Sequence, residues 1–299
     1  MVICEVGVRD GLQNEPVLLT TEQKVTLLDQ LAATGIKKLE AVSFVHPKLV
    51  PAMKDAEEVL ANWNTPAHVI VAGLALNPTG ILRALKTSID HLHVSIAVSD
   101  AFNQKNAKRS VKEGLSQLLP ATKEASAHLP VTAILATSFG CPFSGAVSQK
   151  DVLHMTESFL TAGVSHIVLG DTTGMAHPYQ VKEMIHAFDR TFGQDVTLGL
   201  HFHNTRGLGL ANALAGYEAG VRYFDASIGG LGGCPYAPNA VGNVCTEDLV
   251  HLFEQSNINT GIDLQSLIPI AKQVETWMGK KLPGMVMHVP KNSCTQTEA

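Results

Sequence analysis

Residues 197–227 read Thr197-Leu-Gly-Leu-His201-Phe-His203-Asn204-Thr-Arg206-Gly-Leu208-Gly-Leu-Ala-Asn-Ala-Leu-Ala-Gly-Tyr-Glu-Ala219-Gly220-Val-Arg-Tyr223-Phe-Asp-Ala-Ser227. An apolar run closing on two histidines is followed by an Ala- and Leu-rich stretch of helical length, a glycine and a second β-prone run. This is one strand–helix–strand unit. Gly220 stands just past the helical stretch, where a helix end favours a residue of positive φ. Side chains alternate along a strand, so His201 and His203 share one side. Two imidazoles on one face at a strand end suit a divalent metal. By itself the pair has a more ordinary reading, as two of thirteen histidines on a strand near solvent, because His-x-His is common.

Outward from this unit the same alternation covers the chain. Strand-like runs occur at 2–7, 38–43, 68–76, 91–97, 131–138, 166–170, 197–203 and 223–227. Helix-like segments fall at 21–33, 51–62, 78–86, 108–128, 148–162, 179–192, 208–219 and 243–255. Thr20 or Thr21 can cap the first helix; Gly35 and Gly163 close helical ends as Gly220 does. Eight strand–helix pairs without a Pro/Ser-rich linker predict an α/β fold, a (β/α)8 TIM barrel in a single domain over 1–299, with an extra helix at 262–278 and a loose tail at 291–299.

At 299 residues, 45% apolar and 16% charged, the chain can bury the core that one barrel needs. A net charge of −5 offers no basic field for nucleic acid or membrane. No apolar stretch approaches the roughly 20 residues of a membrane helix. Cys4, Cys141, Cys234, Cys245 and Cys294 form no CxxC pair, and the chain opens into a strand rather than a signal peptide. A reduced, cytoplasmic protein is expected.

Barrel enzymes place their chemistry at the C-terminal ends of the strands. Here those ends carry Arg9-Asp10, Glu40 and Ser43, Thr137, Asp171-Thr172, then His201 and His203, and after the eighth strand the loop Gly229-Gly230-Leu-Gly-Gly-Cys234-Pro235. Each has an ordinary reading too. Arg9-Asp10 is readable as a surface ion pair of little worth, Thr172 as part of a capped turn, and the glycines as connection only. Glu40 lies in a run that should be buried and needs a partner, for which Arg9 is available. The glycine loop lacks the dinucleotide-binding spacing and follows the last strand rather than the first. Cys234 is less ordinary, because a thiol on a glycine-rich loop is placed to swing over a site.

Taken together, Glu5-Val-Gly-Val-Arg9-Asp10-Gly-Leu-Gln13-Asn-Glu15, Leu39-Glu40 with Ser43-Phe-Val, Gly170-Asp171-Thr172, His201-x-His203, Gly230-Leu-Gly-Gly-Cys234-Pro-Tyr236, Gly242-Asn243 and Thr246-Glu-Asp-Leu249 resemble the 3-hydroxy-3-methylglutaryl-CoA lyase family. The likeness runs in order from about residue 3 to residue 290. Gly-Leu-Gly-Gly-Cys-Pro-Tyr is its most specific piece; the Arg-Asp-Gly segment is shared with other barrel metallolyases and Claisen-type synthases.

The resemblance implies a carbon–carbon lyase that cleaves an acyl-CoA thioester, an activity of leucine catabolism and ketone-body formation. It implies a divalent cation, Mg²⁺ or Mn²⁺, held by Asp10, His201, His203 and Asn243. Arg9 would sit beside the thioester oxygen, Glu40 would fix the site, Cys234 would act in proton transfer, and Asp10 and His201 would belong to the catalytic set. Substrate contacts are expected from Arg9, Gln13, Ser43, Thr172, Arg206 and Asn106, and a homodimer or larger homo-oligomer is expected as the assembly. Val8, Pro16, Asn204 and Arg206 depart from the family pattern. An arginine near the acyl group points to a rival substrate such as citramalyl-CoA. An isopropylmalate-synthase-like condensing enzyme and a non-catalytic metal- or CoA-binding protein are the other rivals.

Overall fold

In the computed structural model, residues 1–193, 195–233 and 241–290 are described, and eight parallel strands close on themselves in chain order. They are β1 (Val2–Glu5), β2 (Lys38–Ser43), β3 (Ile70–Ala75), β4 (His91–Ala97), β5 (Val131–Ala136), β6 (His166–Asp171), β7 (Thr197–Phe202) and β8 (Tyr223–Ala226). The seam pairs Val2 with Tyr223 and Cys4 with Asp225. The helices are α1 (Thr21–Ala33), α2 (Ala56–Asn62), α3 (Pro78–Ala84), α4 (Asp100–Ala107), α5 (Val111–Ser126), α6 (Gln149–Thr161), α7 (Pro178–Phe192), α8 (Gly209–Glu218), α9 (Thr246–Gln255) and α10 (Leu264–Met278). The TIM barrel and the extra helix are as the sequence predicts; the tail at 291–299 lies outside the described residues.

Local chemistry sets the boundaries. Thr20 caps α1 with a reciprocal bond pair to Gln23, and Ser110 does the same for α5 with Glu113. Gly35, Gly163 and Gly220 have φ of 94°, 84° and 108°, the conformation expected of glycines that end helices. Three boundaries differ most from expectation. The segment at 108–128 begins at Val111, because Lys108 takes φ 56° and ends a separate helix, α4. Residues 51–53 form only a 3₁₀ turn before α2. Asn243 precedes the last barrel helix, which begins at Thr246; it forms an isolated bridge with His203 instead.

Most apolar side chains pack between the sheet and the helices. The barrel interior holds a smaller apolar set, including Cys4, Val6, Leu74, Ile134, Val168 and Tyr223. Its floor is polar. Lys38 Nζ lies 3.3 Å from His91 Nδ1, Thr132 Oγ1 lies 2.8 Å from His91 Nε2 and 3.1 Å from His166 Nδ1, and the His166 ring meets Tyr223 edge-on at 4.2 Å. Residues of β2 and β4, or of β6 and β8, meet in this way only across the inside. Among the described residues no helix is long and apolar enough to cross a membrane.

Candidate active site

Immediately after β1 the chain makes a π-helical turn, Gly7–Gly11. Glu5 shapes it: its buried Oε1 accepts from Gly7 N at 2.6 Å and Ile228 N at 2.9 Å, and its Oε2 accepts from Thr246 Oγ1 at 2.5 Å. The turn presents Arg9 and Asp10 side by side at the mouth of the barrel. Arg9 Nη1 donates to Asp10 Oδ1 at 2.5 Å, and Arg9 Nε donates to the wholly buried Glu40. Burial works against the guanidinium's charge, but Glu40 and Asp10 more than offset this and raise its pKa further. Burial likewise pushes the Asp10 carboxyl up, yet Arg9, His201 and His203 outweigh it and bring it down to about 2. The ion pair expected between Arg9 and Glu40 is present, and Arg9-Asp10 is no exposed surface pair.

Asp10, His201 and His203 each offer a ligand atom within 4.8 Å of the others. Ligands about 2.1 Å from a hard divalent ion stand about 3 to 4 Å apart, and the 4.0 Å between His201 Nε2 and Asp10 Oδ2 falls in that range. His201 Nδ1 is engaged by Asp225 Oδ2 at 3.1 Å, which leaves Nε2 facing Asp10 Oδ2 at 4.0 Å. A carboxylate behind a histidine is the usual support of a metal-binding imidazole. Asn243 donates from Nδ2 to Asp10 Oδ2 at 2.7 Å and to the Leu231 carbonyl at 3.0 Å. Among the described residues its Oδ1 is buried without a partner, as is His203 Nδ1. Buried polar atoms rarely stay unpaired; one carboxylate, two imidazoles and an amide oxygen fit a divalent cation.

The remaining expected residues divide by position. Gln13 donates to Asp10 Oδ1 at 3.1 Å, bracing the cluster. Ser43 is buried, with Oγ 3.4 Å from the Leu74 carbonyl. Thr172 Oγ1 accepts from Thr137 N at 2.9 Å, while Asp171 accepts from Met175 N and Ala176 N; burial raises the Asp171 carboxyl to about 6 despite those bonds. Arg206 Nη1 donates to the Thr173 carbonyl, and Asn204 Oδ1 accepts from Gly209 N at the start of α8. Both departures from the family pattern therefore tie backbone together beside the site. Asn106 is set apart from the metal cluster, on α4, lining a crevice of about 340 Å³ with Ser95, Ile96 and Phe102. Cys234 lies outside the described residues. The approach to it, Ile228–Gly230, is a buried turn anchored by Gly229 N on both Glu247 oxygens at 3.1 Å, so Gly229 and Gly230 (φ 64° and 69°) meet a geometric need there. Sequence reading missed Asp225 and His93. Asp225 sits one residue before the end of an otherwise unremarkable strand, and only its register opposite His201 reveals it.

The family model described as HMGL-like matches residues 1–274. The chain belongs to the HMGL-like family. It is 42% identical over 294 residues to a hydroxymethylglutaryl-CoA lyase of Bacillus subtilis, covering 98% of each chain. It is 39% identical to an (R)-citramalyl-CoA lyase of Chloroflexus aurantiacus, covering 96% of this chain and 93% of that one. The solved structure of an HMG-CoA lyase from Acinetobacter baumannii, in complex with coenzyme A and 3-methylmalate, superposes with a TM-score of 0.93 at 39% identity, covering 99% of this chain and 97% of that one. These HMGL-like relatives are carbon–carbon lyases acting on CoA thioesters.

Proposed function

We propose that the protein is a metal-dependent lyase cleaving 3-hydroxy-3-methylglutaryl-CoA to acetoacetate and acetyl-CoA. The observation that carries the reading is the juxtaposition of Arg9 with the Asp10, His201, His203 and Asn243 cluster, in a chain 42% identical to a lyase of that name. The bond to be broken joins the tertiary alcohol carbon to the α-carbon of the thioester. The hydroxyl proton leaves, the alcohol carbon becomes a ketone, and the bonding pair passes to the α-carbon as an enolate. A divalent cation held by Asp10, His201, His203 and Asn243, with Mg²⁺ or Mn²⁺ the proposed ions, would make the hydroxyl more acidic.

The chain's own groups supply the rest. Asp10 and His201 are the residues proposed to assist in removing that proton. Arg9 presents positive charge where the enolate oxygen develops, a contribution of about 3 kcal/mol for one well-aimed donor. Cys234 returns a proton to the α-carbon, completing acetyl-CoA. A cleft of about 1020 Å³ beside Gly230 to Gly233, lined also by Lys281, His288 and Lys280, the last paired with Glu15 at 2.6 Å, has the size for the nucleotide end of CoA. Gln13, Ser43, Thr172, Asn106 and Arg206 remain the proposed substrate contacts. A cytoplasmic setting, a homodimer or larger homo-oligomer, and a place in leucine breakdown and ketone-body formation go with the reading, on the strength of the family resemblance.

Citramalyl-CoA is the second reading, favoured by Arg206 and by the 39% identity to a lyase of that name. A panel of 3-hydroxyacyl-CoA thioesters decides between the two. Hydroxymethylglutaryl-CoA should give the highest kcat/KM, with acetoacetate and acetyl-CoA in equal amounts. A higher value for citramalyl-CoA would transfer the assignment.

A further inference from the structure

Beneath Arg9 and Glu40, β4 carries His93 inside the barrel, 1% exposed. Its Nδ1 lies 2.6 Å from Glu40 Oε1, and the other Glu40 oxygen accepts from Arg9 Nε. A carboxylate only accepts, so Nδ1 bears the ring proton. Burial pushes this imidazole well below its ordinary range and the Lys38 ammonium adds to the effect, which leaves the ring neutral. Its Nε2 is buried without a partner among the described residues, a cost that an apolar side chain at this position would avoid.

We infer that His93 is a positioning residue: by occupying Glu40 Oε1 it restricts Arg9 to the second oxygen and thereby aims the guanidinium at the thioester oxygen. The inference rests on the lyase reading above. With Oε1 released, both carboxylate oxygens are open to Arg9, and a guanidinium and a carboxylate favour two parallel bonds. Arg9 would turn toward Glu40, and the fork that serves the developing enolate would move off target. A displacement of that order costs turnover rather than substrate affinity.

Two amide substitutions separate this role from simple packing. In His93→Asn the amide nitrogen occupies the place of Nδ1, whereas in His93→Gln it lies one bond farther, near the place of Nε2. Both keep polarity; His93→Gln also keeps approximate volume, so a loss confined to it cannot come from a packing void. His93→Gln should lower kcat about 10- to 100-fold with KM changed less than about threefold, and His93→Asn should recover to within about threefold of the parent. Metal affinity, measured by calorimetric titration of Mn²⁺ into each protein, should be unchanged in both. Equal activity of His93→Gln and the parent overturns the inference while leaving the lyase reading intact, and so does equal loss in the two variants. Failure of the parent protein to cleave any thioester of the panel overturns the lyase reading, and the inference with it.

Discussion

Asp225 and Arg9 mark the two ends of what a single residue discloses. Arg9 is legible because it adjoins Asp10 at a strand end; its role predicts that Arg9→Gln lowers kcat about 100- to 1000-fold with a far smaller rise in KM, since the charge it answers exists mainly in the transition state. Arg9→Lys should remain strongly impaired, because Lys keeps the charge but loses the planar fork that joins Glu40 and Asp10. Steady-state kinetics of both variants check this, and near-normal turnover would reduce Arg9 to a structural partner of Glu40. Asp225 is an aspartate in a four-residue strand, and no spacing rule ties it to His201, 24 residues earlier. In the structure its carboxylate lies 3.1 Å from His201 Nδ1, with Nε2 of that ring turned toward Asp10. Asp225→Asn should therefore weaken Mn²⁺ binding about 10- to 100-fold while leaving the fold intact by circular dichroism. The polar floor was hidden for the same reason: Lys38, His91, Thr132 and His166 lie on four strands and look like isolated polar residues in apolar runs until the barrel closes.

Among the elements, the segment joining β8 to α9 carries the most specific constraint. Gly232 has φ +104°, and a Cβ there would stand 2.5 Å from Asn243 Nδ2. The backbone comes this close because Asn243 must bridge Asp10 and the Leu231 carbonyl. Gly232→Ala should lower Mn²⁺ affinity about tenfold or more, by displacing Asn243 as well as straining the backbone. Gly220→Ala is the matched control: φ is +108°, but a Cβ there meets nothing within 4 Å, so it should lose stability and keep metal affinity. Equal affinities in the two variants would remove Asn243 from the ligand set. Strands and their rim residues were readable at this scale because alternation and turn chemistry are local. Asn243 was expected at the head of a helix, whereas a β-bridge opposite His203, made by Asn204 N donating to the Gly242 carbonyl at 2.8 Å and Val244 N to the Phe202 carbonyl at 3.0 Å, holds it beside β7, a long-range constraint that no local window contains.

At the scale of the whole molecule, the barrel is closed by carboxylates that the interior disfavours. Burial raises Glu5 from an ordinary value of 4.5 to about 7, against the bonds it accepts from Thr246 Oγ1, Ile228 N and Gly7 N. A carboxyl with a raised native pKa contributes stability that is fully present below its unfolded value near 4.5 and is lost as pH climbs through about 7. Glu5→Gln should accordingly flatten the decline in urea midpoint between pH 5 and 8; an unchanged slope would assign that decline to other groups. Asp10 works in the opposite sense, because its native pKa is lowered: its contribution is present above about 3.8 and lost as pH falls toward 2. The barrel itself was evident from eight repeated strand–helix pairs, whereas the ionisation of its interior depends on which side chains closure brings together.

The central claim is that the rim cluster holds a cation without which the carbon–carbon bond is not broken. The most direct test follows acetyl-CoA and acetoacetate from hydroxymethylglutaryl-CoA with protein stripped by a chelator, then resupplied with Mg²⁺ or Mn²⁺. The account predicts no turnover from the stripped protein and recovery of both products in equal amounts on adding metal, with His201→Ala failing to recover at the same metal concentration. Full turnover by the stripped protein would contradict it.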